Sequence, residues 1–414
     1  MTEETRGLKS LLAINVLAGC ASGIMMLMLP LYTLSLHASA AEMGLISGMA
    51  GAGRMVIIIP SGVWADRYGT RRLFVGSTLL CVVLTSLIPW VRTPLPLMAV
   101  MFFQGMAQSI GFMALQAGFL KRLQHMNASQ VGWQRSATQL GFYLIGPLAG
   151  GLLISGDRFV SAFLTVSALF LAGVGVVLYR KNNGISEVRE SYRGTTADDF
   201  KRMIALLGDR DLRCVLGIEF LGAAIFMMFR TFMAPVALDV LKLPVNAVSW
   251  LVITQGTAAM CLLFWGGRLV RNRSLAWTFT VAALLVIIGN ALLAAANGFG
   301  AYWLGALVYG AGTGLLAFAS LSRLAHVAGE KGKIAALFSL SIAIGNTFGP
   351  VASGYAGELL GLQAAFLVPV GLMLVTLVWF VWYLARLRSG EVEGVAEKNK
   401  CGEGADRFEE SFET

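Results

Sequence analysis

Charge is what this chain has least of. Asp, Glu, Lys and Arg supply 13% of its 414 residues, against 57% hydrophobic residues. Soluble domains carry about 25% charged residues, so one water-soluble core is excluded. Histidine is also scarce, at three residues, and none of His37, His125 and His326 has a ligand cluster to join; neither a metal site nor a cofactor is expected. Five cysteines are too scattered for a disulfide framework: Cys20, Cys81 and Cys261 fall in apolar runs, Cys214 at a helix start and Cys401 in the tail. They read as reduced and structural. A Walker A loop, an H-E-x-x-H helix and a G-x-S-x-G turn are all missing, which removes the common enzyme signatures. Gly310-Ala311-Gly312-Thr313-Gly314 lies inside an apolar run with no strand around it, so it reads as helix packing and not as a dinucleotide loop.

Long apolar runs are what the chain has instead, and its mean hydropathy is +0.71. A helix needs about 20 such residues to cross a bilayer. The spacing predicts spans at 9–34, 41–64, 72–91, 96–119, 131–154, 159–179, 212–236, 246–268, 275–296, 300–321, 334–356 and 362–385. The fold class is an all-α membrane protein of twelve helices. The first span follows MTEETRGLKS without a small-residue cleavage site and is expected to be retained.

Positive residues mark the orientation. One set of short loops holds Arg67, Arg71, Arg72, Lys121, Arg122, Arg268, Arg271, Arg273, Arg323, Lys331 and Lys333; the alternate set holds Arg92, Arg158 and Lys242. Both termini are therefore expected in the cytoplasm, with the chain in a bacterial inner membrane. Anionic membrane lipid is a sufficient partner for the net charge of +9, so no nucleic acid is invoked. The triplets Asn127-Ala128-Ser129 and Asn272-Arg273-Ser274 fall in loops read as cytoplasmic, and read as accidental.

The chain is built twice. Pro30, Gly62, Gln104-Gly105 and Gly146-Pro147 recur as Pro235, Gly266, Tyr309-Gly310 and Gly349-Pro350, at offsets of 203 to 205 residues. Such offsets suit parallel repeats about an axis along the membrane normal. The predicted organisation is an N-terminal bundle over 1–179, a linker over 180–211, a C-terminal bundle over 212–387 and a disordered cytoplasmic tail over 388–414. Phe200, Met203, Ile204 and Leu207 would share one face of a surface helix in the linker; a solvated connector is the alternative.

Between the second and third spans lies Gly62-Val63-Trp64-Ala65-Asp66-Arg67-Tyr68-Gly69-Thr70-Arg71-Arg72. It resembles the signature loop of the major facilitator superfamily, G-x-x-x-D-[RK]-x-G-[RK]-[RK]. The resemblance implies a monomeric secondary transporter of two pseudo-symmetric six-helix bundles. It also implies a conformational latch made by Gly62, Asp66, Arg67, Gly69, Arg71 and Arg72, in which the carboxylate caps a helix of the opposite half and pairs with a nearby arginine. The matching second-half loop, Gly266 to Arg273, has Val270 where the acid would fall. Gly141, followed by Gly146-Pro147-Leu148-Ala149-Gly150-Gly151, resembles a pattern of proton-exchanging exporters in the same superfamily, with one residue more than that pattern after Gly141. Glycine-rich packing is the alternative reading of Gly141, Gly146, Pro147, Gly150 and Gly151. Met101 stands where many proton-coupled members carry arginine three residues before Gln104-Gly105.

Ionisable residues within spans are costly and mark functional sites. Arg54 lies 12 residues before Asp66, about 18 Å into its helix; hydrogen bonding to backbone carbonyls and contact with substrate are both open roles. Arg230 lies 17 residues beyond Arg213, about 25 Å along the seventh span. Positions 219, 223, 226 and 230 share a helical face there, which makes Phe226 and Arg230 substrate candidates and Glu219 a candidate proton site. An interfacial structural role for Glu219 is the alternative. Gln104, Gln108 and Tyr309 complete the substrate-binding candidates, alongside the polar stripes of Asn15, Ser22, Tyr302 and Thr313 and the apolar Met25, Met26 and Trp303; interhelical hydrogen bonding is open for each.

Two arginines within spans point to a small anionic or amphipathic organic solute. The expected activity is proton-coupled export of a drug, siderophore or metabolite, not catalysis. An uptake permease for an organic anion is the alternative, and a nontransporting sensor or scaffold is the rival from another class.

Overall fold

A computed structural model of the chain describes residues 3–123, 137–154, 159–179, 206–269, 275–324 and 331–380. Most of the expected linker, its residues 180–205, and the tail lie outside this set, as do the side chains of Asp66 and Arg67 and the surroundings of Gly62. Residues up to Val370 cluster as one compact unit. From Gly371 the chain forms a second unit, whose described part, 371–380, is helical.

Among the described residues, eleven helices are long and apolar enough to cross a membrane, and a shorter apolar helix makes the twelfth. They are α1 (Glu3–Ser35), α2 (Ala40–Tyr68), α3 (Thr70–Leu87), α4 (Pro94–Leu123), α5 (Ala137–Leu153), α6 (Phe159–Tyr179), α7 (Arg210–Pro235), α8 (Val245–Leu269), α9 (Leu275–Ala294), α10 (Phe299–Leu324), α11 (Lys331–Leu360) and α12 (Leu362–Phe380). Helices suit such runs because every backbone N–H and C=O is satisfied within the segment, leaving only apolar side chains to face lipid.

Local chemistry sets the ends. Before α2, the Ser39 hydroxyl accepts from the Glu42 N–H at 3.3 Å while the Glu42 carboxylate accepts from the Ser39 N–H at 2.8 Å, a reciprocal capping box. At its far end α2 stops at Gly69, whose φ of +84° lets α3 begin at the next residue. Only glycine adopts that conformation without a Cβ penalty.

Packing follows the repeat. α1 packs on α5 and α7 on α11; α2 packs on α4 and α8 on α10; α2–α11 and α5–α8 link the two sets. The contacts recur residue by residue. A Cβ on Gly105 of α4 would lie 2.8 Å from the Ala50 carbonyl carbon, and one on Gly310 of α10 would lie 3.0 Å from that of Gln255. Each residue of the second contact is 205 positions after its counterpart.

α5 departs from ideal geometry. Gly141–Ile145 is a π turn, closed by the Gly146 N–H on the Gly141 carbonyl, immediately before Pro147, which has no N–H to give. The turn takes up the residue that made the Gly141 spacing too long for an α-helical stripe. Gly141 and Gly146 consequently both face α1, where a Cβ on Gly141 would lie 2.8 Å from the Cys20 nitrogen and one on Gly146 would lie 2.7 Å from the Gly23 Cα. Farther along, Gly150 meets the Leu27 side chain and Gly151 meets Ser249 of α8. Backbones this close need residues without side chains. A second π turn, Val236–Val240, follows Pro235 beyond α7.

An apolar core of Ile24, Met28, Tyr32, Leu97 and Phe163 joins α1, α4 and α6. Tyr32 meets the Phe159 and Phe163 rings edge-on at 5.5 and 5.4 Å and donates its hydroxyl to the Val91 carbonyl at 2.9 Å. The hydrogen bond satisfies the one polar group that this cluster buries on the ring.

Candidate functional site

Where α4 and α5 face α7 and α10, the helices line a half-open cavity of about 490 Å³. Its size lies within the 300–1,000 Å³ range typical of sites for small organic molecules. The 3.6-residue period of α7 brings Glu219, Ala223, Phe226 and Arg230 into one wall. Opposite them stand Arg54 of α2, Gln139 and Tyr143 of α5, and Asn346 of α11.

The two arginines are held differently. Arg54 donates from Nη2 to Oε1 of Gln108 at 2.9 Å, so its local acceptor is an α4 side-chain amide. Arg230 has its guanidinium carbon 5.9 Å from the centroid of the Phe142 ring, within the range of a cation–π contact. Phe142 belongs to the π turn of α5 and lies 6.2 Å from Phe226, ring centre to ring centre. Among the described residues neither arginine is in an ion pair; the sole pair there is Lys242 with Asp239, at an exposed turn. Glu219 accepts a hydrogen bond from the Ser320 hydroxyl of α10, which ties the carboxylate across two helices.

Five of the sequence candidates therefore meet: Glu219, Phe226 and Arg230 line the cavity with Arg54, and Gln108 holds Arg54. Gln104 and Tyr309 go elsewhere. Gln104, 1% exposed, donates to the Thr85 hydroxyl of α3 at 2.9 Å. Tyr309, fully buried, donates to the Ile225 carbonyl of α7 at 3.2 Å and stacks on Phe229 at 4.4 Å. Neither is a wall of the cavity. Of the polar stripes, Thr313 reaches the wall. Asn15 accepts from Thr138 at 3.1 Å, Tyr302 donates to the Met233 carbonyl at 2.9 Å, and Trp303 donates to Thr254 at 2.9 Å. Gln139, Tyr143 and Asn346 were missed in the sequence, although the first two carry a signal in their spacing of four.

At the signature loop, Arg71 donates from Nη2 to the carbonyls of Val177 and Leu178, at 3.3 and 3.4 Å, in the last turn of α6. A cation there offsets the negative end of the helix dipole. Arg72 is exposed.

Comparison with known proteins agrees with this architecture. The profile of the Major Facilitator Superfamily matches residues 11–229 and again 214–401. Multidrug resistance protein 2 of Bacillus subtilis (strain 168) is 23% identical over 378 residues, covering 86% of this chain and 91% of that protein. The crystal structure of nucleoside transporter NupG superposes with a TM-score of 0.76 at 16% identity, covering 91% of this chain and 98% of its own. That of a POT family transporter in complex with 5-aminolevulinic acid gives 0.75 at 14%, covering 92% and 96%. At such identities the structural likeness is one of fold.

Proposed function

We propose a function that starts from one premise: this chain belongs to the major facilitator superfamily, a family of membrane transporters. It moves a small organic solute that carries negative charge. The solute binds between two six-helix bundles, 1–179 and 212–387, and rocking of the bundles exposes it to each side of the membrane in turn.

One observation carries the choice of charge. Arg54 and Arg230 line a single cavity, and among the described residues neither is neutralised by an acid. A carboxylate or comparable anion would supply the missing partner by charge-assisted hydrogen bonds, the stronger class. Phe142 and Phe226 give the same solute apolar surface. The reading assigns no bond-making step.

Export coupled to protons is the proposed direction. Support comes from the likeness to a multidrug resistance protein and from the glycine and proline run of α5. Glu219 is the proposed proton carrier, since a carboxyl bridged to Ser320 would change its solvation as the cavity opens and shuts. The proposed setting is a monomer in a bacterial inner membrane, with both termini, the linker and the tail in the cytoplasm and the Asp66 loop as the latch on that side.

Comparing organic anions inside and outside host cells with the gene deleted and overexpressed tests this reading. A solute retained by the deletion strain and enriched outside the overexpressor establishes export. The reverse distribution establishes uptake, and no difference across several nutrient conditions favours a nontransporting sensor.

A further inference from the structure

Arg54 belongs to two cavities. Besides the central one, it lines a space of about 340 Å³ whose walls come from α1, α3, α4 and α6 of the first half, with α11 closing one side. The two spaces share Arg54, Phe112 and Ile342 and so abut at those side chains. The walls of the side space are mostly apolar, with Leu17, Phe74, Leu115, Leu169 and Phe170 among them, interrupted by the hydroxyls of Ser22, Thr78, Ser109 and Ser339. Gly173 of α6 also lines it; the residue is buried, yet a Cβ placed on it would meet nothing within 4 Å. Unlike Gly141, Gly146 and Gly310, where a Cβ would meet neighbouring backbone, this buried glycine faces unfilled room.

The geometry points to an amphipathic monoanion as the solute: its charged head binds at Arg54 and Arg230, and its aliphatic or aromatic tail enters the side space between α1, α3, α4 and α6. Charge placement gives the direction of insertion. A guanidinium stands where the two spaces abut, which suits the charged head, and the mostly apolar walls beyond suit the tail. Such a split also separates two recognition tasks, since the arginines select charge while the side space selects tail length. This inference rests on the anion reading above and deepens it.

The test uses the purified full-length chain in phosphatidylcholine nanodiscs, titrated calorimetrically with straight-chain carboxylates from butanoate to dodecanoate, with empty nanodiscs subtracted. In the wild type, affinity should climb with chain length, by up to roughly fourfold per buried methylene, until the side space is full. Gly173→Leu should collapse the ratio of dodecanoate to butanoate affinity at least tenfold. If the ratio is equal in both proteins, the tail does not enter this space and the inference fails. If butanoate binds in an Arg230-dependent way but affinity is flat with length, the inference also fails while the anion reading stands. If no carboxylate of any length binds, both fall.

Cys81 supplies a readout that does not depend on the leucine variant folding, because it lines the same space. In a chain with Cys20, Cys214, Cys261 and Cys401 replaced by alanine, dodecanoate should slow maleimide labelling of Cys81 and butanoate should not. Equal labelling with both would overturn the assignment. Phospholipid retained by the wild type but lost from Gly173→Leu on mass spectrometry would overturn it as well, by making the space a lipid site.

Discussion

Glu358, in the last turn of α11, accepts the backbone N–H of Ala41, in the first turn of α2, at 3.2 Å. One carboxylate thereby joins the ends of two helices 317 residues apart, at the opposite pole of α2 from the Asp66 loop. The joint is tightened by small residues: a Cβ on Gly354 would lie 3.1 Å from the Gly44 Cα, and one on Gly357 would lie 3.2 Å from the Ala40 Cβ. A carboxylate is also the favoured charge at a helix N-terminus.

Removing this carboxylate should loosen that joint. In Glu358→Ala, spin labels at His37 and Leu359 should show a longer, broader distance distribution than in the parent. A superimposable distribution would mean that glycine packing alone holds the two helices.

Arg230→Ala should weaken anion binding by about 10- to 100-fold, the range of a charge-assisted hydrogen bond worth ~1.5–3 kcal/mol. Equilibrium binding to the purified protein measures it, and unchanged affinity would return Arg230 to a packing role over Phe142. Gln108→Leu should produce a smaller loss, because it frees the Arg54 guanidinium without removing its charge.

Glu219→Gln mimics the protonated carboxyl and keeps an acceptor for Ser320. Proteoliposomes should lose accumulation driven by a proton gradient yet retain solute counterflow. Gradient-driven accumulation at the wild-type level would exclude Glu219 as the proton carrier.

Asp66→Asn should lower the transport rate with little loss of binding, and wild-type flux at equal expression would count against the latch. Gly69→Ala probes the same loop through its backbone: an L-residue forced to φ +84° and ψ 139° costs about 1–3 kcal/mol. Its melting temperature should drop, whereas an unchanged one would show that the turn relaxes.

Hydropathy located the helices, with most described ends within a few residues of expectation, because the bilayer imposes length and polarity together; the first helix starts earlier, at Glu3, and the ends expected at 131 and 385 lie outside the described residues. The span expected at 246–268 is observed at Val245–Leu269. The cavity face of α7 was equally legible, since Glu219, Phe226 and Arg230 follow the helical period. Gln104 and Tyr309 show where that logic stops. In a helix apolar on every side, a polar residue aimed at a cavity and one aimed at a neighbouring helix have the same spacing. Interhelical hydrogen bonds satisfy either, and only packing against Thr85 and Ile225 tells the direction. Arg54 was legible as a buried charge; its bond to Gln108 and its place between two cavities depend on three helices meeting and had no local signal.

The π turn of α5 has a genetic meaning. A helix that accepts one inserted residue, and keeps the register of both flanks, is left with such a turn. In the second half, α11 runs without one, and Gly345 and Gly349 both press on Ala224 across four residues, where Gly141 and Gly146 span five. The two halves thus differ by one codon at this point. A gapless alignment of one half with the other slips by a residue past Gly141, and a role transferred between α11 and α5 by simple subtraction lands on the wrong face of the helix.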